Sequence, residues 1–523
     1  MKLYDWQEEC LHAWEEHQYR GIAHVITGAG KTVMALHGIL RLKDRLSRTT
    51  PPRPLRVRIV VPTCSLAAQW SLALQRLLPG ESPIRPGRIG GGRTDSPDQD
   101  YTIYVINSAR YQLARHILQD LKSGYDVLLI ADECHHFASP ENRKIFDFLP
   151  CIAKSERCYT LGLSATPHGY AFRSVLVPAL GPVIYQYGFS QAASAGTVCS
   201  FSVFQIQLSF TAEELERYED YSYRIVQAQK RLCKEYPHLK HLKGIHFFEA
   251  VRQLATAEDD DPEAPATQFL RCTMARQQLC YLAANRLSCV EALIHRISPT
   301  EKILVFSERI SQAEALYTRL RPRYSTQLGL YHSQLGSASR RRTLEQFHSG
   351  HCRILICCRS LDEGVDVPDA TIGIILSGTA VRRQHIQRLG RILRPAEGKT
   401  SACMYYLYLN ESTEDCAFLP DTPDATFPIC NLSYSGPGST FSHPAYEAAA
   451  AGVLSRMRAA DTATAAAREP EIRRCLEEGL IRPDWLLSPS ECRTRQSLAV
   501  KRHEKNYWRC MEEMAKATGQ AHS

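Results

Sequence analysis

Two stretches of this chain follow the same pattern: short apolar runs alternate with amphipathic segments of helical period. Parallel strands need long crossover connections, usually helices, so this alternation predicts parallel sheets covered by helices on both faces. The first stretch runs from the N-terminus to about Tyr187, with strands expected at Ala23–Thr27, Arg58–Pro62, Thr102–Ile106, Val127–Ala131 and Tyr159–Leu163. The second runs from about Lys302 to Leu409, with strands expected at Ile303–Ser307, Ile354–Cys357 and Ile372–Leu376. The chain is 523 residues long, too long for a single core, and two such α/β lobes suggest a ligand site in the cleft between them.

The interval between the lobes has a different character. Thr211-Ala212-Glu213-Glu214 has capping-box spacing and predicts a helix to about Tyr236. A second helical run is expected from about Gln268 to Ile297, after an acidic loop at Glu258–Pro262. Residues 411–444 are rich in Pro, Ser, Thr and Gly and read as a linker, and the chain beyond Pro444 is alanine-rich and helical in propensity. The expected division is a first lobe over 1–207, a helical insertion over 208–298, a second lobe over 299–410, and a linker with a helical extension over 411–523. The run Lys501–Arg509 reads as a solvated helix with its aromatic face packed on the body, the alternative being a nucleic-acid or partner contact.

Composition narrows the function classes only modestly. Lys and Arg number 63 against 55 Asp and Glu, a net charge of +8 that permits a polyanionic partner without requiring one. The 19 cysteines contain no Cys-x-x-Cys pair, so buried free thiols in a reducing compartment are expected in place of zinc or redox motifs. No apolar run approaches the roughly 20 residues that span a bilayer, and no signal core follows Met1, so a cytoplasmic, nucleoid-associated address without membrane contact is expected.

Chemistry concentrates where strands end. Strand Ala23–Thr27 runs into Gly28-Ala29-Gly30-Lys31-Thr32, with a helix expected from Val33 to about Leu42. Glycines let backbone N–H groups turn inward around phosphate oxygens, and the helix N-terminus adds its positive dipole end. Lys31 is placed to reach the β- and γ-phosphates of ATP, and Thr32 to ligate Mg²⁺. A second apolar strand ends in Asp132-Glu133-Cys134-His135, where Asp132 suits the metal, Glu133 suits orienting and deprotonating water, and His135 suits reporting the site's state to neighbouring loops.

These elements identify the chain as similar to superfamily 2 helicases of the DEAD/DEAH-like type. The resemblance implies two RecA-like parallel-sheet lobes, an inserted helical thumb and a mostly helical C-terminal extension. The shortened loop Thr27-Gly28-Ala29-Gly30-Lys31-Thr32 and the Asp-Glu-Cys-His sequence match its two nucleotide motifs. Ser164-Ala165-Thr166-Pro167 resembles motif III, giving Ser164 and Thr166 a coupling role, and Leu3-Tyr4-Asp5-Trp6-Gln7 resembles the Q-type motif, in which Gln7 would read adenine. Gln384–Arg394 contains Gln-Arg-x-Gly-Arg-x-x-Arg, resembling motif VI, with Gln387, Arg391 and Arg394 as its catalytic members and Arg388 as a coupling residue. Guanidinium suits that place because it stays charged and grips phosphate bidentately. Ser360–Asp369 resembles motif V, assigning Gly364 and Asp366 to the nucleotide, and Lys302–Ser307 resembles motif IV.

Within the superfamily the likeness is to the archaeal and bacterial xeroderma pigmentosum group B helicases, through Val61–Trp70, Gly87–Arg93, Leu361–Ala370 and Ile386–Pro395. It implies a DNA-stimulated ATPase working 3′→5′ on single-stranded, forked or duplex DNA, in DNA repair or genome defence. Contacts to the DNA backbone are expected from Pro62, Thr63, Gly92, Arg93, Asn107 and Ser108 in the first lobe and His332, Ser333, Ser360 and Thr379 in the second. The chain begins at the Q-type motif, so no damage-recognition domain is expected before it, and Pro167–Arg173 lacks the family's Arg-Glu-Asp element. Movement on DNA is therefore the primary expectation and strand separation the secondary one. An RNA helicase, or a motor subunit that recruits a partner nuclease, are the alternatives.

Overall fold

The computed structural model describes residues 3–77, 85–149, 156–168, 171–257, 261–358, 370–377, 399, 401–414, 428–459 and 462–521. Strands, numbered in chain order among these residues, are β1 Arg20–Val25, β2 Leu55–Val61, β3 Gly87–Gly90, β4 Arg93–Thr94, β5 Tyr101–Val105, β6 Asp126–Asp132, β7 Cys158–Ser164 and β8 Val183–Tyr187, then β9 Ser200–Leu208, β10 Ile303–Ser307, β11 Leu328–Tyr331, β12 Ile354–Cys358, β13 Ile372–Ile375, β14 Ser401–Leu409 and β15 Ile429–Tyr434. They form two sheets, ordered β4-β3-β5-β2-β6-β7-β1-β8 and β11-β12-β10-β13-β14-β9-β15. Apart from the short β3–β4 pair the ladders are parallel, as the apolar runs require.

All the expected strands form, with bounds shifted by a few residues. The division of the chain differs in two places. β9 ends at Leu208, yet pairs with β14 from Ser200↔Ser401 to Leu409↔Leu208, so it belongs to the second sheet and the first lobe stops short of the expected boundary at 207. The stretch read as a linker contains β15, which pairs with β9 over Ile429–Tyr434. Its alternating burial hides Cys430, Leu432 and Tyr434 in the second lobe's core.

Helices Ala212–Glu235, Ile245–Ala257 and Pro265–Leu282 follow β9 and close a core of their own around Ile225, Leu232, Val251 and Phe269. The capping box holds as expected: Glu214 N donates to Thr211 Oγ1 at 3.2 Å and Thr211 N to Glu214 Oε2 at 3.0 Å. The expected run to Ile297 breaks at Ala283, and helix Ala284–Arg296 packs into the second lobe's core instead. The C-terminal helices Tyr446–Arg458, Thr462–Leu480, Pro489–Leu498 and Arg502–Ala521 bury Val453, Leu476, Cys492 and Met511 in that same core. Tyr507 and Trp508 pack against it, in keeping with the structural reading of Lys501–Arg509. The cysteines among the described residues are free, and among them only Cys64 is exposed. No helix among those residues is long and apolar enough to cross a membrane.

Candidate functional site: a phosphate loop facing a buried acid pair

In the first sheet β6, β7 and β1 are successive neighbours, with Asp132 beside Leu163 and His24 beside Ser164. Their carboxyl ends therefore open on one edge, where ligands bind in sheets of this type. The chain leaves β1 through Gly28 and Gly30, at φ +90° and +101°, a left-handed conformation that glycine adopts without steric cost. Gly30 caps helix Lys31–Ser47. The Lys31 ammonium is folded back into the loop: Nζ donates to Val25 O at 3.1 Å and lies 3.8 Å from Glu133 Oε1. Thr27 and Thr32 are half-buried on either side of the turn, and Ala29 is buried.

Gln7 closes the loop from outside. It is buried, accepts from Tyr4 N at 2.9 Å, and donates through Nε2 to Gly30 O at 3.0 Å. A Cβ on Gly30 would stand 2.9 Å from that nitrogen. The residue assigned to adenine thus also holds the phosphate loop.

Asp132 is the last residue of β6. Its Oδ2 accepts from Trp70 Nε1 at 2.8 Å and its Oδ1 from Glu133 N at 3.0 Å. Burial, with the Glu133 charge adding to it, pushes the Asp132 carboxyl up to about 6, against the hydrogen bond from Trp70 and the charge of Lys31. Glu133 sits at φ +49°, a left-handed conformation that costs a non-glycine residue about 1 kcal/mol or more. This turn brings its carboxylate to Lys31 and to within 3.5 Å of His135 Nδ1. Glu133 Oε2 is buried without a hydrogen-bond partner among the described residues. A strained acid with an unsatisfied oxygen, beside a lysine in a phosphate loop, is suited to accept a proton from water bound in the site.

The pair is connected to the Ser-Ala-Thr turn. His135 Nδ1 is 2.9 Å from Ser164 Oγ, which also accepts from Thr166 N at 3.0 Å. From the other side His24 Nε2 lies 3.0 Å from Ala165 O. Burial lowers the His24 pKa below its ordinary value, which favours the neutral ring. Sequence reasoning missed both His24 and Trp70. Trp70 stood inside a quoted motif, and the available signal was that a buried indole N–H requires an acceptor.

The residues assigned to DNA in the first lobe also converge. Thr63 caps helix Cys64–Leu77, its Oγ1 accepting from Leu66 N at 3.3 Å, and Pro62 precedes it half-buried. Gly90, Gly91 and Gly92 all have positive φ. A Cβ on Gly91 would meet Cys64 Sγ at 2.3 Å and one on Gly90 would meet Ser108 Oγ at 3.0 Å, so the three segments touch. Gly92 opens to empty space, and Arg93 and Asn107 are exposed. In the second lobe Ser333 is exposed, but His332 is buried, with Nε2 3.5 Å from Glu314 Oε1, which leaves its ring little access to a backbone phosphate. Ser360, Gly364, Asp366, Thr379, Gln387, Arg388, Arg391 and Arg394 lie outside the described residues.

Comparison with known proteins gives consistent results. Residues 1–169 match the family described as Type III restriction enzyme, res subunit, and residues 285–396 match the helicase conserved C-terminal domain. The chain is 30% identical over 399 residues to a DNA 3′-5′ translocase XPB2 of Sulfurisphaera tokodaii, covering 75% of this chain and 79% of that protein. It is 27% identical over 164 residues to the DNA 3′-5′ helicase XPB of Kineococcus radiotolerans, which is 31% of this chain and 25% of that one. Among solved structures, the Type ISP restriction-modification enzyme LlaBIII bound to DNA superposes with a TM-score of 0.52 at 14% identity, covering 99% of this chain and 41% of the enzyme, a likeness of fold alone.

Proposed function

Because the chain belongs to the XPB family of superfamily 2 DNA translocases and helicases, we propose that it is an ATPase stimulated by DNA that moves 3′→5′ along it, and that its work lies in DNA repair or genome defence. The observation that carries this reading is the buried constellation of Lys31 3.8 Å from Glu133, with Asp132 next to it and accepting from Glu133 N. Lys31 supplies a fixed cation where the γ-phosphate develops charge, and glycine-loop N–H groups surround the remaining oxygens. Glu133 Oε2, which makes no hydrogen bond among the described residues, accepts the proton of the attacking water.

The donor set fits Mg²⁺: Asp132 is a buried carboxylate held by two hydrogen bonds, and Thr32 offers a half-buried hydroxyl at the helix start. These two residues would hold the ion, which when bound neutralises phosphate charge. His135 and Ser164 carry the state of Glu133 to the Thr166 turn. Arg391 and Arg394, from the second lobe, complete the site in this reading and make its closure depend on ATP.

The test is ATP turnover with single-stranded, forked and duplex DNA and with RNA, followed by a strand-separation assay. DNA is expected to stimulate turnover, and Lys31→Ala and Glu133→Gln are expected to abolish it. Stimulation by RNA but not DNA, or full turnover by both variants, would overturn the reading.

A further inference from the structure

Helix Pro265–Leu282 ends against the second lobe, and two carbonyls of its last turn are taken by buried side chains. Cys280 O accepts from Arg286 Nε at 2.8 Å, and Tyr281 O accepts from Gln312 Nε2. Arg286 is fully buried and Gln312 nearly so. Both side chains reach onward to the same place. Arg286 Nη1 donates to Leu376 O at 2.7 Å and to Leu407 O at 3.2 Å, while Nη2 pairs with Glu414. Gln312 Oε1 accepts from Ser377 Oγ at 2.7 Å and Ser307 Oγ at 2.9 Å. Leu376 and Ser377 follow β13 directly and lead into Gly378-Thr379, where a DNA contact is assigned above.

Core stability alone does not account for this arrangement. A buried guanidinium gives up its hydration, and replacing such a group with a well-packed apolar side chain is often neutral or stabilising. Here one guanidinium binds carbonyls from a helix end and two strand ends together with a carboxylate from the turn after β14. That is a registry device: it fixes how separate segments meet, and with all three nitrogens bonded it resists bending. The same junction is fastened twice more, by Ala284 N to Glu214 Oε1 at 2.8 Å and by Thr413 N to Tyr218 OH at 3.0 Å.

We propose that Arg286 and Gln312 are positioning residues of the motor, latching the inserted helices to the carboxyl end of the second sheet, at the strand end that leads into the assigned DNA contact at Thr379, so that insertion and lobe move as one body. The proposal rests on the reading of the chain as a DNA motor. In it, each ATP-driven movement of the second lobe carries the inserted helices with it, and the latch holds the strand end that leads into the assigned DNA contact.

The test uses the full-length protein with Gln312→Leu, which cuts the bond to Tyr281 O, and Arg286→Lys, which keeps the charge for Glu414 but cannot span three carbonyls. Turnover of ATP with DNA and translocation by triplex displacement are measured together. Misplacement by about an ångström can cost a positioned step about a hundredfold, so translocation is expected to fall tenfold or more while turnover with DNA falls about threefold at most. Translocation and turnover falling in parallel, or neither falling, would overturn the latch. If Arg286→Lys fails to fold, Gln312→Leu decides alone. Amide hydrogen exchange gives a reading that needs no DNA: Gln312→Leu is expected to speed exchange in Pro265–Leu282 and leave the first lobe unchanged. A wild-type protein without DNA-stimulated turnover would defeat the motor reading, and unchanged exchange in the variant would separately defeat the latch.

Discussion

The hydrogen bond from Trp70 to Asp132 turns an unremarked aromatic into a control on the metal-binding acid. In Trp70→Phe, Asp132 Oδ2 loses a donor at 2.8 Å in a buried site. A hydrogen bond to a charged group contributes about 1.5–3 kcal/mol. At 1.36 kcal/mol per pKa unit that is about one to two units, with the lower end expected because water can enter part of the vacated space. The Asp132 carboxyl stands at about 6, and loss of a bond that favours the charged form moves it upward, to about 7. A carboxylate holds a divalent cation only when ionised, so the acid limb of kcat/KM for ATP, which reports the free enzyme, should move to higher pH by the same amount. At pH 7 the ionised fraction falls from about nine tenths to about one half, so the loss at neutral pH is about twofold and disappears above about pH 8.5.

The same shift has a stability consequence of definite sign. The folded-state carboxyl holds its proton up to about 6, against an ordinary value of 3.8. Between those values the unfolded chain has released a proton that the folded protein retains, so stability falls as pH rises through this window. In Trp70→Phe the fall should extend to higher pH. The assay is a pair of pH profiles, kcat/KM at fixed free Mg²⁺ and Tm, for wild type and variant. An acid limb that stays in place in a folded variant would refute the account of Asp132, because nothing else in it couples an indole to that titration.

Three further outcomes are expected. Gly30→Ala places a side chain at φ +101° with its Cβ 2.9 Å from Gln7 Nε2, so about 1–3 kcal/mol of strain should appear as a lower Tm and weaker binding of a fluorescent ATP analogue. Ser164→Ala removes the oxygen that joins His135 to Thr166 N, and the ratio of DNA-stimulated to basal turnover should fall several-fold; an unchanged ratio would place the coupling elsewhere. Ending the chain before Ile429 strips β15 and the C-terminal helices from the second core and should yield aggregated protein, as judged by size-exclusion chromatography; a soluble, active truncation would show that the extension is detachable.

Local chemistry was largely legible in the sequence. The phosphate loop, the acid pair and the Ser-Ala-Thr turn were each found because a few adjacent residues carry the whole signal, and Thr211 with Glu214 fixed a helix start to the residue. Pairwise geometry was not legible. Nothing near Trp70 points to Asp132, 62 positions away, and nothing near His24 points to Ala165, 141 away, since both contacts are made by the sheet. His332 illustrates the converse: a polar residue after a strand reads as a surface contact, but its burial depends on packing that the local sequence does not encode.

The misplaced domain boundaries have a single cause. Strand identity follows from local apolar pattern, but strand position in a parallel sheet is set by crossovers whose length the pattern leaves free. β9 follows the first lobe in sequence and sits between β14 and β15 in the second sheet, so the segments that complete that sheet come from three distant parts of the chain. The inserted helices therefore leave the second sheet at β9 and return to it through helix Ala284–Arg296. Both ends of the insertion are rooted in one core, and Arg286 and Gln312 fasten its return side. An insertion anchored in this way is tied to the second lobe at both ends. Whatever it grips is displaced only when the second lobe moves, which is the geometry a motor needs if closure on ATP is to become a step on DNA.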